Sequence, residues 1–201
     1  MSDWIISIIG DFGYLGLFLL MVLESLFPPI PSELIIPFAG FSAAQGALNP
    51  FAVIAVATAG AVTGMAPWYL IGRLFGLRRT RRLADRFGRW LTLNAGEVDF
   101  AVRVFRRWGP VIVLVGRLLP IIRTLISIPA GIAKMPAPLF FLASTTGALI
   151  WNSILVGAGY VLAEHYEMVE AFLDPLTIVV IAGVVLLYLF RLLTWRPSRA
   201  T

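Results

Sequence analysis

The 201-residue chain has no cysteine, one histidine and only 13% charged residues. Without cysteine there is no disulfide framework, thiolate metal site or cysteine nucleophile, and one histidine leaves little from which to build a zinc or haem site. No cofactor or metal is therefore expected. Lys and Arg are missing from residues 1–50, and residues 164–174 hold four acids and His165 but no base. Apolar residues are what the chain has in excess: 59%, against roughly 45–50% in soluble domains. That composition marks an integral membrane protein. A net charge of +5 is compatible with nucleic-acid binding, but the same bias arises when a membrane protein gathers its basic residues in cytoplasmic loops. No nucleic-acid partner is expected.

Ten of the sixteen basic residues lie within 73–107, and Arg191, Arg196 and Arg199 close the chain. Lys134 follows an apolar stretch, whereas Arg117 and Arg123 sit inside one. Segments 51–72 and 139–163 are uncharged and longer than the roughly 20 residues a crossing requires. Segment 175–195 is read as a third span, with Arg191 snorkelling to the interface.

The other apolar stretches are interrupted. Residues 12–27 run into Pro28, Pro29 and Pro31, with Glu24 and Glu33 to either side, and 34–47 is only about 21 Å long as a helix. Residues 111–133 contain Arg117, Pro120, Arg123 and Pro129, and proline removes a backbone donor and breaks the helical ladder. Such segments suggest re-entrant hairpins, tolerated where they pack in protein or line a wet cavity. With both as hairpins, fourteen basic residues lie inside and none in outside loops. If 111–133 crossed, the acidic segment and the Arg-rich tail would change sides against the rule. The acid in residues 1–3, where a basic region should be, argues against a signal peptide.

The expected fold is an all-α polytopic membrane protein, one domain over 1–201, with about three transmembrane helices and two oppositely oriented re-entrant hairpins. A first hairpin-plus-helix repeat covers 11–72, an Arg-rich cytoplasmic segment 73–110, a second repeat 111–163 and a C-terminal transmembrane helix 175–195. Gly13, Glu24, the prolines, Glu33, Pro37-Phe-Ala-Gly40 and a helix with Gly60-Ala61 and Trp68-Tyr69 are echoed later. The echo is Gly109, Arg117, Pro120, Arg123, Pro129-Ala-Gly131 and a helix with Gly147-Ala148, Trp151 and Tyr160. The two units enter from opposite sides, the inverted-repeat arrangement in which transporters place a site at opposed broken helices.

Charge in the two hairpins is complementary. Each buried charge costs about 2.5–3.5 kcal/mol on insertion scales, so Glu24, Glu33, Arg117 and Arg123 must meet one another, water or a ligand. An arginine fork suits phosphate, which makes Arg117 and Arg123 candidates for binding an anionic headgroup and Glu24 or Glu33 candidates for carrying a coupling proton. The alternative is that all four form salt bridges that pin the fold. The Arg-rich stretch 78–93 has Leu83, Phe87, Trp90 and Leu91 at near-helical spacing and suits a helix on the membrane surface. His165 reads as an exposed loop residue. Gly60 and Gly64 suit close helix packing, and Ser144, Thr145, Thr146 and Asn152 suit interhelical hydrogen bonding or a polar path.

Three elements carry a resemblance: Glu24-Ser-Leu-Phe-Pro-Pro-Ile-Pro-Ser-Glu33, Gly60-x3-Gly64-x4-Tyr69-x2-Gly72-Arg73, and Gly116-Arg-Leu-Leu-Pro-Ile-Ile-Arg-Thr124 followed by Pro129-Ala-Gly131. Over about residues 10–165 the chain resembles the DedA family, membrane proteins related to the SNARE-associated or VTT-domain proteins of eukaryotes. The resemblance implies a non-enzymatic lipid transporter of the bacterial inner membrane. It would move undecaprenyl phosphate or a phospholipid such as phosphatidylethanolamine with dependence on the proton motive force. It places the family's essential acids on Glu24 and Glu33 and its essential arginines on Arg117 and Arg123. The implied partners are an anionic lipid or polyprenyl phosphate and protons; a homo-oligomer is compatible with the sequence. Met65 stands where many members have an acid, and the usual asparagine is missing near Thr145. A lipid phosphatase would need a nucleophile and general acid near the arginines, and His165 is poorly placed for that. A non-transporting scaffold is compatible with the same residues.

Overall fold

The computed structural model of the chain describes residues 2–27, 32–91, 95–119, 122–161 and 190. Among the described residues the fold is all helical: α1 (Ser2–Leu26), α2 (Ser32–Ala44), α3 (Pro50–Leu91), α4 (Ala95–Arg117), α5 (Ser127–Ile132) and α6 (Ala137–Val161). Among the described residues three stretches are long and apolar enough to cross a membrane, Ser7–Leu26, Pro50–Arg82 and Ala137–Val161. The last two overlap the spans expected at 51–72 and 139–163, the first of them running on past residue 72 to Arg82. The span expected at 175–195 lies outside the described residues, residue 190 aside, as do Pro28, Pro29, Pro31, Pro120 and the acidic segment with His165.

The first of the three is long enough by count but not straight. Gly13 adopts φ 54°, ψ −126° inside α1, a left-handed conformation that only glycine takes readily. The helix beyond it covers 14–26, about 20 Å at 1.5 Å per residue. A comparable break divides α4, where Trp108 has φ −126°, ψ 16° two residues before Pro110. It separates an arginine-bearing piece from an apolar one.

Helix α3 departs from expectation. It begins where Asn49 Oδ1 accepts from the amides of Phe51 at 3.0 Å and Ala52 at 3.2 Å, with Pro50 at the first helical position, where its missing N–H costs nothing. It then continues past Gly72 through the arginines to Leu91, because Arg, Leu and Ala are good helix formers. Gly76, with φ 62°, redirects the chain within this run. The stretch expected to lie on the membrane surface is thus helical to residue 91, and its side chains from 83 onward lie outside the described residues. Pro129 lies among the described residues. It sits in the first turn of α5, where proline is tolerated, and the break lies upstream of it.

Two apolar clusters occupy opposite ends of α3 and α6. One gathers Leu17, Leu20, Ile35, Ile36, Val53, Ala57 and Val156; the other gathers Met65, Tyr69, Val113, Ile126, Met135 and Phe140. Lipid supplies no hydrophobic drive between helices, so close backbone approach has to hold them. A Cβ on Gly60 or Gly64 would lie 2.7 Å from Met21 Cβ or 2.6 Å from Ser25 Cβ, respectively. The Gly-x3-Gly spacing therefore seats α3 on α1. Gly40 abuts the Val156 carbonyl and Gly159 that of Pro37, joining α2 to α6. Gly72 abuts the Ile128 carbonyl and Gly131 that of Tyr69, joining α5 to α3.

Candidate functional site

Between the two apolar clusters lies a layer of buried polar side chains: Glu24 and Ser25 from α1, Thr58 from α3, Arg117 from α4, Arg123, Thr124 and Ser127 around the second break, and Ser144 and Asn152 from α6. Glu24 is near the C-terminal end of α1, whose final carbonyls have no partner within the helix. Trp68 of α3 donates its indole N–H to the Ser25 carbonyl at 3.1 Å, and Ser25 Oγ donates to Glu24 Oε2 at 3.2 Å. The acid is thereby held at a helix end that is itself fastened to α3.

All four charges named from the sequence come to this layer, but they do not pair evenly. Arg123 Nη2 bonds Glu24 Oε1 in a buried ion pair and lies 3.5 Å from Glu33 Oε1. Both acids of the first broken segment therefore converge on one arginine of the second. Arg117, only 5% exposed, makes its direct contacts with neutral groups instead: its Nη2 donates to Ser127 Oγ at 2.8 Å and contacts Met65 Sδ. Among the described residues no carboxylate lies within ion-pair distance of Arg117. The six-residue spacing spans the end of α4 and a turn, so the two guanidinium groups leave the backbone in different surroundings.

A cavity of about 20 Å³ lies among these groups, lined by Glu24, Arg117, Arg123, Thr124, Trp151 and Asn152 in addition to apolar contacts. That is room for about one water, not a phosphate headgroup. Asn152 Nδ2 donates to Thr58 Oγ1 at 3.0 Å, the interhelical bond expected of α6, whereas Thr146 bonds back to the Leu142 carbonyl at 2.9 Å. Below the layer, Tyr69 OH donates to the Met135 carbonyl at 2.6 Å and accepts from Arg73 Nη1 at 2.6 Å. This clamp fixes the turn between α5 and α6 to α3.

Sequence reasoning did not pick out Ser25, Thr124, Ser127 or Trp151. Ser127 meets Arg117 from ten positions further along the chain, across the second break, and no local spacing signals that contact. Trp151 marks the repeat, and its residue type alone assigns it no role.

Residues 16–161 match the VTT domain family, and the chain belongs to that family, the DedA membrane proteins. It is 38% identical over 200 residues to an "Alkaline phosphatase-like protein" of Lactococcus lactis subsp. cremoris, covering 99% of this chain and 94% of that one. It is 34% identical over 168 residues to "Undecaprenyl phosphate transporter A" of Staphylococcus aureus, covering 84% and 83% of the two chains. It is 26% identical over 191 residues to the protein of the same name in Bacillus subtilis, covering 93% and 92%. No solved structure matches. The protein is a multi-pass membrane protein of a family found in the bacterial inner membrane.

Proposed function

We propose that this protein moves a lipid with an anionic headgroup, a polyprenyl phosphate such as undecaprenyl phosphate, between the leaflets of the inner membrane. The observation that carries the reading is the buried cluster in which Glu24 and Glu33 of one broken apolar segment meet Arg123 of the other. Ionisable groups at membrane depth mark substrate and proton pathways, and two relatives are named as undecaprenyl phosphate transporters.

The mechanism follows from charge exchange. In the empty protein the carboxylates occupy Arg123 as a headgroup phosphate would. A proton taken up by Glu24 or Glu33 neutralises that partner and frees the guanidinium, and Arg117 and Arg123 then grip the phosphate with charge-assisted hydrogen bonds. Proton loss on the other side restores the ion pair and expels the lipid, which couples transport to the proton motive force. The single-domain division at 11–72, 73–110 and 111–163, with 175–195 as a last span, belongs to this reading. So does the inverted repeat of two re-entrant hairpins. Its support is the crossed packing of α2 on α6 and α5 on α3, each through glycine against carbonyl, and a break in each leading helix, at Gly13 and Trp108.

The test is movement of a labelled polyprenyl phosphate between leaflets of proteoliposomes under a pH gradient, with phosphatidylethanolamine as the parallel lipid. Wild type accelerates the phosphate lipid and Arg117→Ala does not; equal rates sink the assignment. A phosphatase is the second reading, favoured by the printed name of the Lactococcus relative. Release of inorganic phosphate from the same lipid by purified protein would establish it.

A further inference from the structure

Among the described residues, Nε of Arg117 and Nε1 of Trp151 are buried N–H donors of the polar layer that meet no hydrogen-bond acceptor. Both residues line the same cavity. Leaving such a donor unmet inside a protein forfeits about 1–3 kcal/mol, so each calls for an explanation. Their relative placement follows from α6. A Cβ on Gly147 would lie 2.7 Å from Arg117 Cβ, so the arginine stem passes across α6 at that glycine. Trp151 is four residues further along, on the same helix face. The indole thus stands one turn from the point where Arg117 crosses. Ser127 and Met65, the neighbours of Arg117 Nη2, are neutral, so nothing they contribute cancels its charge.

We infer that Arg117 and Trp151 form an oxoanion-recognition pair in which Arg117 Nε–H and Trp151 Nε1–H donate to oxygens of one phosphate group. This rests on the lipid-transport reading only for the source of that phosphate. The assignment divides the two arginines: Arg117, whose hydrogen-bond partner Ser127 is neutral and which shares the cavity with Glu24 without pairing with it, supplies the standing anion site, and Arg123, held by the acids, joins when they are neutralised. It also gives Trp151 a role as a ligand donor. An indole N–H donates and cannot accept, so it suits a fully ionised phosphate group, which needs only donors. In the empty protein the cavity has room for about one water, which can bridge the two donors, and phosphate entry requires the cavity to expand.

The experiment is equilibrium binding to the purified full chain in lipid nanodiscs, using radiolabelled polyprenyl phosphate, the matching phosphate-free polyprenol and inorganic phosphate. Trp151→Phe keeps the ring and deletes the donor; Arg117→Lys keeps the charge and deletes the Nε donor. Each variant should bind polyprenyl phosphate about tenfold more weakly, the worth of a hydrogen bond to a charged group, while thermal midpoint and polyprenol binding stay unchanged. Wild-type affinity for polyprenyl phosphate in Trp151→Phe overturns the pair and leaves the transport reading standing. Should Trp151→Phe fail to fold, wild-type affinity in Arg117→Lys overturns it equally. Binding of inorganic phosphate but not polyprenyl phosphate, weakened in both variants, upholds the anion site and overturns the lipid source. Wild-type binding of neither anion above the polyprenol background overturns both.

Discussion

Glu24 and Arg123, 99 residues apart in the chain, meet in an ion pair with both side chains buried. The pair ties the C-terminal end of α1 to the turn after α4, and so joins the two broken apolar segments by charge. Removing one partner of such a pair strands the other in a low-dielectric interior, whereas removing both is far milder. Arg123→Gln, which strands both acids, should destabilise the detergent-solubilised protein by about 3–5 kcal/mol, and Glu24→Gln by less, because Glu33 still faces Arg123 at 3.5 Å. The double variant should fall well short of the sum. Additive losses in thermal unfolding would show that the pair contributes no coupling.

Glycine contacts make a sharper local forecast. A methyl group at position 159 meets the Pro37 carbonyl, whereas one at position 157 meets nothing within 4 Å. Gly159→Ala should separate α2 from α6 at a cost of about 1–3 kcal/mol. Gly157→Ala should be neutral or stabilising by up to about 1 kcal/mol, since alanine is the better helix former. Monodispersity and melting of the two variants distinguish them, and similar behaviour would contradict the close approach.

Asn152 and Thr58 join α6 to α3 inside the polar layer. Hydrogen bonds between membrane helices average about 0.6 kcal/mol in double-mutant cycles. A cycle of Asn152→Ala and Thr58→Val should return a coupling of that order. Zero coupling would mean that each side chain finds another partner when its own is removed.

Sidedness can be read without background labelling, because the chain has no cysteine. Gln45 and Arg79 are both exposed and fall on opposite sides in the topology set by the arginines. A membrane-impermeant maleimide should label Gln45→Cys in intact cells and Arg79→Cys only after permeabilisation. Labelling of Arg79→Cys from outside would invert the topology.

Much of this architecture is legible from local pattern. The uncharged lengths at 51–72 and 139–163 match the apolar parts of α3 and α6 to within a few residues, because a crossing helix must satisfy all its backbone groups itself. Gly60 and Gly64 read as a packing face and are one. The helical character of 78–91 was legible from its spacing, but its continuity with the span before it was not, since polarity ends a span without ending a helix. The kink at Trp108 is not legible for a related reason: helix-interior Pro110 disturbs the residues before it, and the proline alone does not fix which of them yields.

The sequence by itself determined that the chain is a membrane protein, which segments are apolar enough to cross, how its charge is segregated, and that four ionisable residues must find partners at membrane depth. Those properties follow from composition and order, because the cost of placing a charge in lipid is a property of the residue. Only the tertiary structure decided the pairing. Both acids settle on Arg123, while Arg117 is left with Ser127, Met65 and a cavity shared with Trp151. The physical reason is that pairing depends on where the two broken segments bring their side chains across the packed glycines of α3 and α6. Spacing along either segment alone does not specify that register.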